Sequence, residues 1–199
     1  RDRNRPDDTS FYDGEEQVVL GIQHFIGRHV EHARQQAAVA VDSFERENYL
    51  EIAAMNEWLI DGAPRTMREA GQFLTWFQTF DHMWGGGGLG QLDRLLLPFY
   101  EADKVAGRID DEEAIWFLAS QFYNDTHYSQ IAGPAPGDGH DTTNELSFLI
   151  LEAMHRVGIP VNIAIRVHDG LNPELLRRAV QYLFEDGFGC TFVCSKGLD

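Results

Sequence analysis

The stretch Gly133–His168 reads GPAPGDGHD, then TTNELSFLILEAMHRVG, then, after Ile159 and Pro160, VNIAIRVH. The first nine residues hold too much glycine and proline for regular structure, so they read as a loop. Thr142 and Glu145 stand three apart just before an apolar run, the spacing of a reciprocal helix cap. Gly158 and Pro160 stop the helix that follows. Val161, Ile163, Ile165 and Val167 then alternate with Asn162, Ala164, Arg166 and His168, which is strand periodicity. A polar loop is thus expected at the root of a buried helix and strand.

Toward the C-terminus, Asn172 is expected to cap a helix with Pro173 in its first position. Leu175, Leu176, Ala179, Val180, Leu183 and Phe184 form its stripe, and Gly187 closes it. A second strand follows, so Val161 to Ser195 reads as a βαβ unit with parallel strands. The only cysteines, Cys190 and Cys194, fall in CTFVCS. Four residues apart on a strand is about 13 Å, beyond disulfide reach, so both are expected to be buried free thiols. A radical-SAM cluster needs C-x3-C-x2-C, and the third position here is Gly197.

Before the central stretch, Gly14 to about Val41 carries Val18, Ile22, Phe25, Ile26, His29, Val30, Ala33 and Ala37 at helical spacing. His24, His29 and His32 lack the further ligands that would complete a metal set, so structural histidines are expected. A second helix is expected over Ser43 to Ile60, with Phe44, Tyr49, Ile52, Ala53 and Leu59 on its apolar side, ended by Asp61-Gly62-Ala63-Pro64. Thr66 and Glu69 repeat the capping-box spacing ahead of a third, with Met67, Ala70, Phe73, Leu74, Phe77 and Phe80 on one face. Asp110 and Glu113 cap another, carrying Ala114, Ile115, Phe117, Leu118 and Phe122.

Composition limits the functions available. The chain has 199 residues, 43% of them apolar, and a formal charge of −16 that repels phosphate backbones and anionic lipid. Residues 1–13 form a polar leader with neither a signal peptide nor a membrane span, and a cytoplasmic setting is the default expectation.

Three collinear blocks resemble the glycyl radical enzymes, the pyruvate formate-lyase-like superfamily. They are RTMREAGQFLTWF; GQLDRLLLPFYEADKVAGRIDDEEA; and GDGHDTTNELSFLILEA with IRVHDGLNPELL and EDGFG, together running from about Arg65 to Gly189. The D-x-x-N-E-L block is similar to the dehydratase, decarboxylase and lyase branch. The resemblance implies a helix-rich α/β fold for residues 14–199: a partial barrel made of the helical shell and opening strands, including the βαβ unit. It also implies chemistry in which a stored glycyl radical generates a cysteine thiyl radical that takes hydrogen from a small substrate. The segment that matches lies upstream of the cysteine loop. The peptide KVAGRI mimics the radical motif, but Gly107 is followed by Arg108 rather than an aromatic residue, so it reads as a helix-to-helix turn.

No catalytic residue and no metal ligand is therefore assigned within the chain, and no cofactor is expected to be bound by it. The family implies a radical-SAM activase as partner. The remainder of a barrel, or self-association, is the other expected contact, with no nucleic acid and no membrane. Candidates for the substrate cavity are Gly88, Gly90, Asp93, Gly133, Asp141, Asn144, Glu145 and Arg166. The run Gly85–Gly90 contains G-x-G-x-x-G, yet follows an aromatic-rich segment where a dinucleotide site needs a strand. A plain turn and cavity lining both suit it, and Gln91 stands where the family often has arginine. For Asp141, Asn144 and Glu145, helix capping is the simpler role. Arg166 either holds a substrate carboxylate or neutralises an acidic neighbour, an internal salt bridge being the commoner fate. The alternative to a part of an enzyme is a stand-alone, non-catalytic relative that binds a partner or ligand.

Overall fold

The structure, a computed structural model, describes residues 8–82, 88–124 and 128–194. Most of the leader, Gly85 to Gly87 of the glycine run, and Ser195 and Gly197 lie outside the described residues. The chain divides into two compact units, Arg1–Pro64 and Arg65–Asp199.

The first unit is a helix pair. α1 (Ser10–Val39) starts four residues earlier than Gly14, so the end of the polar leader is helical; α2 (Ser43–Leu59) is capped by Asp42, whose side chain accepts from the Glu45 N–H at 2.9 Å. Their contact is built from small residues: Val30, Ala33 and Ala53 are buried, with Ile52 and Ile60 packed on them. Val18, at 62% exposed, and Phe44, at 79%, lie off that seam although their spacing fits it.

The second unit holds the main core. α3 (Met67–His82) begins with Thr66 Oγ1 accepting from the Glu69 N–H at 3.2 Å, while the Glu69 carboxylate reaches past Thr66 to the Arg65 N–H at 2.7 Å. A second carboxylate, Asp103, accepts from the Met67 N–H at 2.7 Å and from Arg108 Nε at 2.7 Å. Asp103 sits on α4 (Leu92–Val105), which runs through Pro98 without ending. Gly107, exposed at φ +66, makes the turn into α5 (Asp111–Asn124), as its sequence setting implied. There Asp110 and Glu113 exchange both capping bonds, at 2.8 and 3.0 Å.

Next come β1 (Ser129–Ile131), α6 (Glu145–Val157), β2 (Ile163–Val167), α7 (Pro173–Asp186) and β3 (Thr191–Cys194). The strands form one sheet in the order β1-β2-β3, every pair parallel, with Gln130 opposite Ala164 and Ala164 opposite Thr191. The βαβ unit is as expected; β1 extends it by a strand. Ile163 and Ile165 are fully buried among Leu146, Ile150, Met154 and Leu175.

The cap of α6 is Asn144 with Ser147, whose Oγ accepts from the Asn144 N–H at 3.1 Å; Thr142 and Glu145 are engaged elsewhere. On α7 the buried residues are Leu175, Ala179 and Tyr182, while Phe184 is 83% exposed. Asn172, Pro173 and Gly187 (φ +74) do bound that helix as predicted.

Cys190 is buried, its thiol pushed up to about 12 by desolvation and set 3.9 Å from Met154 Sδ. Cys194 is exposed, against the expectation of two buried thiols, because it lies at the end of the edge strand. Thiol titration of the native chain should therefore label Cys194 rapidly and Cys190 only after denaturant is added. Rapid labelling of both would contradict the packing of Cys190.

Candidate functional site

Parallel strands place their C-terminal ends on one edge of the sheet, and in open α/β sheets that edge is where ligands bind. Here β1 runs into Ala132, at φ 55, and Gly133, at φ +110. An alanine in the left-handed region costs about 1–2 kcal/mol, so something must hold it. The start of α4 does. Asp93 Oδ2 accepts from the Ala132 N–H at 2.8 Å and from Ser147 Oγ at 2.6 Å, and Oδ1 accepts from the Arg94 N–H at 2.9 Å. Gln91 Nε2 donates to the Ala132 carbonyl at 2.7 Å, and Gln91 Oε1 accepts from Arg94 Nη1 at 2.6 Å. Asp93 is fully buried; desolvation pushes its carboxyl above the usual range, with the Ser147, Ala132 and Arg94 hydrogen bonds opposing.

The loop beyond closes on itself. Thr142 donates to the Gly133 carbonyl through both its N–H and its hydroxyl, each at 2.9 Å, and the Ala135 N–H donates to the His140 carbonyl at 2.7 Å. Asp141 then ties this loop to the one after β2. It pairs with His168 Nε2 at 3.0 Å and accepts from the Asn172 N–H at 3.0 Å. The Gly170 N–H donates to His168 Nδ1 at 3.3 Å, which assigns the ring proton to Nε2 in the neutral tautomer. Burial works to raise the Asp141 carboxyl, but hydrogen bonds from Thr143, His168 and Asn172 together hold it below the usual range.

Of the eight candidates, Asp93, Gly133, Asp141 and Arg166 gather around the ends of β1 and β2, with Asn144 opening α6 beside them. Asp141 is no helix cap for α6. Gly88 and Gly90 lie alongside β1: the Leu89 N–H donates to the Tyr128 carbonyl at 2.9 Å, and the Gln130 N–H to the Gly90 carbonyl at 2.7 Å. Glu145 turns away to Lys104, whose ammonium also meets Asp111 at 2.7 Å and the Tyr100 hydroxyl at 2.7 Å. That ammonium is held far above its ordinary range by Asp111 and Glu145, and the Tyr100 hydroxyl is pushed up to about 12, chiefly by burial. Arg166 makes no ion pair among the described residues, so the expected internal salt bridge is absent there. Ser147 was not marked by its sequence: one serine on an apolar helix face carries no local signal of the carboxylate it meets.

On α1, Phe25, Arg28, His29, Glu31, His32 and Gln35 line a shallow depression of about 390 Å³. The His29 Nδ1 bonds to the Phe25 carbonyl at 3.0 Å. Among the described residues no group of three or more His, Cys, Asp or Glu is placed to hold a metal, and no helix is long and apolar enough to cross a membrane.

Residues 1–192 match the family described as pyruvate formate lyase-like. The chain belongs to that family. It is 28% identical over 187 residues to the 4-hydroxyphenylacetate decarboxylase glycyl radical subunit of Clostridioides difficile (strain CD196), covering 82% of this chain and 21% of that protein. It is 27% identical over 188 residues to the isethionate sulfite-lyase of Nitratidesulfovibrio vulgaris, covering 81% of this chain and 22% of the other. A solved structure from work on 1,2-propanediol dehydration in Roseburia inulinivorans superposes with a TM-score of 0.85 at 21% identity, over 98% of this chain and 28% of that one. This pyruvate formate lyase-like chain thus spans between a fifth and somewhat over a quarter of the length of the relatives it matches and carries the fold of that part of their barrel.

Proposed function

We propose that the chain forms the helical shell and three strands of the barrel of a glycyl radical enzyme of the dehydratase, decarboxylase or lyase kind. In this reading the thiyl-forming cysteine and the radical-bearing glycine lie outside these 199 residues. The observation that carries it is the collinear family match together with a parallel sheet whose C-terminal edge is braced by Asp93, Gln91 and Asp141. Such bracing suits a cavity wall that must keep its shape around a reactive intermediate.

Cys190 and the mimic glycine fit the radical chemistry poorly. A thiol held near 12 and packed on Met154 is a structural one, and Gly107 lies in an exposed turn where a stored radical would meet solvent. The family's radical, when present, supplies hydrogen-atom abstraction; these residues would shape the space in which it occurs.

The test is electron paramagnetic resonance on this chain treated anaerobically with a radical-SAM activase and S-adenosylmethionine. No glycyl doublet is expected. A doublet that disappears in Gly107→Ala would overturn the assignment.

A further inference from the structure

The sheet has two unlike faces. Ser129, Ile131, Ile163 and Ile165 are buried against the core, whereas Gln130 and Thr191 are exposed and Ala164, Arg166 and Val193 only partly covered. The register sets Gln130, Ala164 and Thr191 in one row and Arg166 beside Val193 in the next. Rows of this kind lie roughly 5 Å apart between strands and roughly 6.6 Å along them. The small Ala164 side chain therefore leaves a low floor with Gln130 and Thr191 at its sides and Arg166 at its head.

None of these three polar side chains has a hydrogen bond or ion pair among the described residues, although the chain has 32 acidic side chains to 16 basic ones. Other arginines find carboxylates: Arg34 pairs with Glu57, Arg108 with Asp103 and Arg156 with Glu112. The stem of Arg166 lies against Gly133, where a Cβ would come 2.8 Å from Arg166 Cβ and 3.2 Å from its Cδ. Asp93 and Gln91 hold the neighbouring Ala132 in place, which fixes that glycine under the arginine.

We propose that Arg166, with Gln130 and Thr191, binds the carboxylate of a small organic acid over Ala164, and that Gly133 is the positioning residue that gives the arginine its place. The guanidinium fork matches two carboxylate oxygens, and the flanking amide and hydroxyl supply further donors. The substrate class rests on the reading of this sheet face as cavity wall; the binding itself does not.

The probe is sodium propionate, titrated at constant ionic strength into the 15N-labelled 199-residue chain. The readouts are the Arg166 Nε–H and Gln130 amide resonances. Saturable shifts of both are expected, lost in Arg166→Gln and unchanged in Arg28→Gln, an exposed arginine on α1. Affinity should fall by about tenfold or more in Arg166→Lys, which keeps the charge and loses the fork. Gly133→Ala should weaken binding with Arg166 intact; thermal melts establish that each variant is folded, and Arg166→Lys carries the test if Gly133→Ala is not. Shifts that grow linearly without saturating, or saturation that survives Arg166→Gln, would overturn the site. Undiminished binding in a folded Gly133→Ala would overturn the positioning role. Failure of this titration leaves the enzyme assignment standing, because that assignment rests on the family match and the parallel sheet, not on Arg166.

Discussion

Replacing Asp93 by alanine should destabilise the Arg65–Asp199 unit by about 3 kcal/mol, since the Ala132 N–H and the Ser147 hydroxyl lose their acceptor in a site without access to water. The loop at Ala132 should open as a result, because Gln91 then holds only the carbonyl side of its left-handed peptide. The Asp93→Asn variant separates charge from geometry. Burial raises the carboxyl in the folded state, so the unfolded chain gives up this proton first as pH rises from near 3.8. The wild-type group therefore contributes most at low pH and progressively less as pH climbs through its folded value. Urea unfolding followed upward from near pH 3.8 should show wild type losing stability relative to Asp93→Asn as pH rises. A relative gain as pH rises would mean that the carboxylate is better solvated by its three donors than by water.

The second large effect is expected at Ile165, fully buried in the middle strand. Ile165→Ala should cost about 4 kcal/mol, transfer and cavity terms together, and Ile165→Val about 1 kcal/mol. Phe184→Ala, by contrast, should change stability by less than about 0.5 kcal/mol despite the larger side chain, because that ring is 83% exposed. Equal costs at the two positions would show that Phe184 is covered in the folded chain.

That contrast marks where sequence stops being informative. The stripe on α7 is correct in period, yet period alone does not say how wide the covered arc is, and Phe184 falls just off it while Tyr182 falls on it. Local chemistry was readable wherever a cap needs only its own neighbours, as with Asp110 and Glu113 or with Asn172, Pro173 and Gly187. It failed where a distant partner decides. Thr142 and Glu145 have capping-box spacing, but Gly133 claims one and Lys104 the other, leaving Asn144 and Ser147 to start α6. The three residues of β1 are too few to show a period. The resemblance marked Asp93, and strand periodicity set Arg166 on β2; only the fold brings Asp93 to the Ala132 peptide and Gly133 under the Arg166 stem.

The strand order β1-β2-β3 has a consequence for synthesis. Each strand pairs with the one made just before it, so the sheet can grow at a single edge as the chain leaves the ribosome, with α6 and α7 each laid down before the next strand docks. Among the described strands, β2 and β3 each find their partner in the stretch already made. The growing edge at any moment is the newest strand, and β3, with its exposed Cys194, is that edge in this chain.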